Sequence, residues 1–154
     1  MIASLEGMYL GEPVTTAGGP LGSLGKPQTV VFRQMPGYQW RLSTGLVITV
    51  LTGPGGGIML IDESAAPPDQ PLGVATEDSR EIGYTFNQSS HANLDLEAPA
   101  TACKGNFGAD CWEYHYDDGL TLRADFAPNG SADGVLREVT LANEKLLQEL
   151  HFDP

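Results

Sequence analysis

The residues that could do chemistry are few and scattered. The three histidines, His91, His115 and His151, stand at no metal-ligand spacing from one another or from a cysteine. Glu113, His115 and Asp117 alternate, which on a strand puts all three on one face where a metal could be held; a solvated strand face explains the same pattern. Leu21-Gly22-Ser23-Leu24-Gly25 comes nearest to a nucleophile elbow but lacks the first glycine of GxSxG. The glycines at Gly18-Gly19 and around Gly53 to Gly57 are not followed by Lys-Ser/Thr, so turn chemistry accounts for them and a phosphate loop does not. The expectation is a protein that is not an enzyme and that needs neither metal nor cofactor.

Cys103 and Cys111 are the whole thiol inventory, eight positions apart, with Gly105 and Gly108 between them to let the chain turn back. That spacing suits a disulfide-closed loop and not a CxxC redox or zinc pattern. A bridge of this kind implies an oxidising compartment, such as the periplasm. No signal peptide is visible, and Met1 followed by Ile2-Ala3-Ser4 reads as a start placed before a mature N-terminus.

The segment Asn87-Gln88-Ser89-Ser90-His91-Ala92-Asn93 is polar, uncharged and built of small or amide side chains. Such residues suit a probe that enters a polar cleft, so Gln88, Ser89, Ser90 and His91 are the candidate partner-binding residues; an ordinary solvent loop has the same composition.

These residues sit on a chain that reads as mainly β, with antiparallel sheets and little helix. Gly 19 and Pro 11 are high counts in 154 residues and favour turns and short strands. Leu10-Gly11, Leu24, Pro27, Thr29 and Trp40 recur 72 positions later as Ile82-Gly83, Leu96, Pro99, Thr101 and Trp112, which suggests two tandem copies of one β-meander unit. The expected layout is one domain of two pseudo-repeats, about 5–62 and 77–141, a Pro-rich linker over 63–76 and a short C-terminal segment over 142–154. Leu46 to Thr52 forms a strand, Gly53 to Gly57 breaks it, and Ile58 to Ile61 returns. In the second unit Asp118-Gly119 marks a hairpin. Leu120, Leu122, Ala124 and Phe126 then alternate with Thr121, Arg123 and Asp125, which predicts one buried and one wet face. Val135 to Leu141 is the return strand, and Asn143 is placed to cap a last short helix over Glu144 to Leu150. Trp40 and Trp112 are expected as core anchors.

Acidic residues outnumber basic ones 20 to 8, for a net charge of −12. That field repels phosphate backbones, so nucleic acid is excluded as a partner, and no apolar run reaches membrane-spanning length. A basic protein is the partner it would steer in.

A duplicated β-rich unit, a short disulfide and strong acidity, in a chain of this length, resemble the periplasmic immunity proteins of type VI secretion that neutralise peptidoglycan-cleaving amidase effectors. The resemblance covers size and organisation and rests on no short motif. It implies a protein that occludes the Cys–His active site of an effector enzyme, with Gln88-Ser89-Ser90-His91 as the cleft-entering element. Inhibitors of β-lactamase or lysozyme share the same general features, and a hydrolase with an unrecognised site is the other alternative.

Overall fold

In the computed structural model the described residues are 4–5, 8–14, 25–42, 46–64, 98–104, 110–116, 119–126 and 136–150. A two-stranded ladder, β1 (Ser4–Leu5) with β2 (Met8–Tyr9), precedes the main sheet. That sheet is antiparallel throughout and contains β3 (Gln28–Phe32), β4 (Met35–Arg41), β5 (Val47–Thr52), β6 (Ile58–Ser64), β7 (Ala100–Lys104), β8 (Asp110–His115), β9 (Leu120–Phe126) and β10 (Leu136–Asn143). The strand order is 3-4-5-6-10-9-8-7: two four-stranded meanders meet where β6 pairs with β10. The protein is therefore mainly β, with one short helix, α1 (Glu144–Leu150), among the described residues.

Two faces follow from the register. Trp40, Ile48, Val50, Ile61, Leu141, Val139, Leu122, Ala124, Phe126 and Tyr114 form the larger apolar core on one face, with Leu10 and Val14 of the leading segment packed against it. That segment is tied down by backbone hydrogen bonds from Gly11 N to Ile58 O (2.7 Å) and from Ile58 N to Glu12 O (2.8 Å). On the other face Leu51, Leu60 and Ala142 pack under Leu146, Leu147 and Leu150 of α1. The helix starts as the sequence suggests: Lys145 N donates to Asn143 Oδ1 at 3.0 Å, a side-chain cap on the first turn.

Each meander carries a β-bulge at the second residue of its last strand. In β5–β6 the partners step from Leu51–Leu60 to Thr52–Ile58, skipping Met59; in β10–β9 they step from Glu138–Asp125 to Leu136–Phe126, skipping Arg137. Strict alternation would put Leu136 and Glu138 on the same face. The extra residue lets Leu136 enter the core while Glu138 turns to the opposite face.

Several expectations change on contact with the structure. Strands β3 and β7, which the sequence pattern does not mark, complete each meander at the sheet edges. Glu63 and Ser64 belong to β6 and not to a linker, because β6 must run far enough to pair with β10; Glu63 is fully buried opposite Val139 and Ile48. The polar face of β9 is not wet: Thr121, Arg123 and Asp125 are 1%, 3% and 8% exposed, with Arg123 laid along its own strand onto Asp125 and side chains of β10 and β8 standing on either side on the same face. Trp40 is buried but Trp112 is only half-buried. Taking Gly45-Leu46 and Gly119-Leu120 as equivalent, Ile48 corresponds to Leu122; Trp40 pairs with the first and Tyr114, not Trp112, with the second. The offset of 72 is thus not the register of the sheet. The strands agree in order and in bulge position, and the two tryptophans do not occupy the same place.

Candidate functional site

A polar row crosses the helix-bearing face from edge to edge. Reading opposed residues strand by strand gives Gln28, Gln39, Thr49, Asp62, Thr140, Arg123, Glu113 and Thr101. Alternation puts them on one face, and the antiparallel register sets them side by side. A second row beside it contains Ser64, Glu138, Asp125 and Cys111, with Cys103 at its end.

Where the two rows run together the site becomes acidic. Asp62 lies opposite Thr140 and diagonal to Glu138, and Glu138 lies opposite Asp125. Thr140 Oγ1 donates to Asp62 Oδ1 at 2.6 Å, and Asp62 shares a further side-chain hydrogen bond with Glu138. Burial, first, and then the Glu138 charge and hydrogen bond push the Asp62 carboxyl well above the usual carboxylate range, against the opposing effect of Thr140. Asp125 is pushed up to about 6, chiefly by burial, with Glu138 and Glu113 adding to it. Arg123 works against that rise: its Nε and Nη2 donate to the two Asp125 oxygens, each at 3.2 Å. Desolvation wins because the pair is nearly closed off from solvent.

Asp62 and Glu138 border a cavity of about 330 Å³ between the edge hairpin β3–β4 and α1. Its walls are Val30, Val31, Phe32, Leu51, Leu60 and Leu150, and its floor is Gln39, Thr49, Thr140, Asp62 and Glu138. Val31 is 74% exposed and Phe32 48%, so the mouth lies at the rim of the sheet. Within the floor the donors are largely engaged: Gln39 Nε2 donates to Thr49 Oγ1 at 3.0 Å and Thr140 donates to Asp62. The floor therefore presents acceptors more than donors, a poor setting for a developing oxyanion and a good one for a donor-rich cation.

Gln88, Ser89, Ser90 and His91 lie outside the described residues, as do Asp117 and His151. Cys103 and Cys111 are bonded to each other, directly opposed on β7 and β8 with Cα atoms 4.9 Å apart. His115 shares a 2.7 Å hydrogen bond with Thr101 and lies 3.9 Å from Glu144, and no group of His, Cys, Asp or Glu among the described residues is arranged to hold a metal. Sequence reasoning does not single out Asp62, Glu138 or the Arg123–Asp125 pair. The signal that could find them is the acidic Asp62-Glu63 directly after the apolar run Ile58-Met59-Leu60-Ile61, which by composition alone looks like the end of a strand and the approach to a linker.

Comparison with protein-family models, with curated proteins and with solved structures found no match. No helix among the described residues is long and apolar enough to cross a membrane. What the fold and site define is a β-sheet protein with an internal disulfide and an acidic, partly apolar recess.

Proposed function

We propose that this protein is an exported inhibitor, an immunity protein, that binds a basic effector enzyme and closes its active site. The observation that carries this reading is charge: 20 acidic against 8 basic residues, net −12. Such a field speeds the approach of a basic protein and repels nucleic acid and anionic membrane surfaces. The Cys103–Cys111 bond fits an oxidising compartment, for which the periplasm is proposed. The effector proposed is a peptidoglycan amidase of the Cys–His type delivered by type VI secretion, with Gln88, Ser89, Ser90 and His91 entering its cleft. An uncharged loop suits that role, because burying an unpaired charge costs far more than burying a hydroxyl or amide that finds a partner.

A hydrolase is the second reading, favoured by one observation, the hydrogen-bonded carboxyl pair Asp62 and Glu138. Two carboxyls sharing a proton can act as acid and base. Incubation with peptidoglycan fragments separates the two readings. The inhibitor leaves them intact and suppresses turnover by the amidase; a hydrolase degrades them unaided. Surface plasmon resonance then tests the loop. A bulky replacement at Ser90 is expected to speed dissociation and leave the fold intact, and a variant that inhibits like the wild type removes the loop from the mechanism.

A further inference from the structure

We propose that the cavity between β3 and α1 is a binding site for a primary ammonium or guanidinium group carried on a short aliphatic stem. Its chemistry stands whether or not Gln88, Ser89, Ser90 and His91 block an effector.

The cavity has two chemically distinct parts. Val30, Val31 and Phe32 from the edge strand, Leu51 and Leu60 from the central strands, and Leu150 from the helix give it apolar walls. Asp62 and Glu138 stand at the floor beside Thr140, Thr49 and Gln39. A neutral apolar ligand would leave the two carboxyls facing hydrocarbon, and an anion would meet both of them. A cation on an aliphatic stem satisfies both parts: the stem lies along the walls and the head donates to the carboxyl oxygens. The volume, about 330 Å³, is at the lower end for small-ligand sites and suits a chain of a few methylenes better than a ring system.

The surrounding charges favour the same occupant. Asp125 faces Glu138 across the strand pair and Glu113 lies one strand further on. Of the cations on these two rows, Arg123 is turned onto Asp125 along its own strand at 3.2 Å, and Arg41 stands exposed at the β4 end of the second row, outside the lining of the cavity. The site therefore keeps a negative balance. Glu138 reaches this face by regular alternation from Val139 and Leu141 of the core, and the bulge at Arg137 is what sends Leu136 to the opposite core instead.

Two sources supply such a group: a free alkylamine, and a Lys or Arg side chain of a basic protein. The test is a titration of the full chain, followed by backbone amide chemical shifts, with n-pentylammonium chloride, with 1-pentanol, and with Nα-acetyl-lysine methylamide. Pentylammonium is expected to shift the amides of Val30, Leu51, Leu60, Thr140 and Leu150 and to bind roughly tenfold or more tightly than pentanol. Glu138→Gln, which keeps the shape of the floor, is expected to weaken the amine by roughly tenfold, with folding checked by the dispersion of the same spectra. Binding of the lysine derivative at the same amides assigns the site to a partner's side chain; binding of pentylammonium alone assigns it to a free amine. The proposal is overturned if pentanol binds as well as the amine, or if the amine shifts are spread over the acidic surface instead of clustering at the cavity. It is also overturned if the folded Glu138→Gln variant binds the amine like the wild type.

Discussion

Trp40 and Tyr114 are the matched buried aromatics of the two meanders, each on the second strand of its unit, Trp40 paired with Ile48 and Tyr114 with Leu122. They are 2% and 3% exposed, whereas Trp112, two positions before Tyr114, is only half-buried. Trp40 also donates its indole N–H to the Gly25 carbonyl at 3.1 Å, which ties the chain ahead of β3 to the core.

Truncating these residues should therefore rank them by place and not by type. Trp40→Ala and Tyr114→Ala are each expected to cost about 3–5 kcal/mol, the usual range for a buried large aromatic. Trp112→Ala should cost clearly less. Urea unfolding of the three variants measures this, and an equal loss at Trp40 and Trp112 would contradict the pairing of Tyr114 with Leu122.

The disulfide joins directly opposed residues and closes a short loop, with Cys111 buried. Replacing both cysteines with serine should lower stability by about 2–3 kcal/mol on the chain-entropy account. Intact mass after alkylation, with and without reductant, checks the pairing; free thiols in the native protein contradict it.

Asp62 and Asp125 both hold protons more tightly in the folded chain than in the unfolded one. Their contribution to stability is therefore fully present below the ordinary carboxylate range and is lost as pH rises through the folded values. For Asp125 the window runs from about pH 4, the unfolded value, to about pH 6. Across it the wild type should lose on the order of 2–3 kcal/mol relative to Asp125→Asn. Urea unfolding at intervals from pH 4 to 7 tests the difference; parallel curves for the two proteins would refute it.

Gly37 on β4 is a close-approach position: a Cβ there would run into the Val50 carbonyl and the Leu51 side chain of β5. Gly37→Ala should push the edge hairpin away from β5 and cost about 1–3 kcal/mol, as an overpacked core substitution does. Amide exchange should quicken in β3 and β4 and stay slow in β9. Uniform change across the sheet would argue against a local clash.

Arg33 and Gln34, at φ 48° and 70°, form the two-residue turn between β3 and β4. The twist of a tight hairpin demands left-handed conformations that glycine adopts without penalty. Gln34→Gly is expected to raise stability by about 0.5–1 kcal/mol, read as a higher thermal midpoint. A lower midpoint would mean that the glutamine side chain contributes more than its backbone costs.

Local chemistry makes much of this molecule legible in advance. Leu46 to Thr52 is β-branched and bounded by Gly53 to Gly57, and Asp118-Gly119 announces its hairpin. Asn143 caps α1, and two cysteines eight residues apart, with glycines between them, are placed to pair. Each of these signals is read within about ten residues of chain, where turn preferences, side-chain branching and capping act. What lies beyond that range depends on which strands meet. The pairing of β6 with β10 joins residues nearly half the chain apart, and only that pairing sets Asp62 against Thr140 and Glu138. The same contact draws Glu63 and Ser64 into β6 where composition suggests a linker, and neighbours on both sides close off the polar face of β9. The bulge at Arg137 reverses the face of Glu138 relative to Leu136, which no alternating pattern can foretell. The place of Trp40 passes to Tyr114 for a related reason: a strand's register is set by the partners it packs against, and a two-residue difference keeps a side chain on its face while moving it along the core.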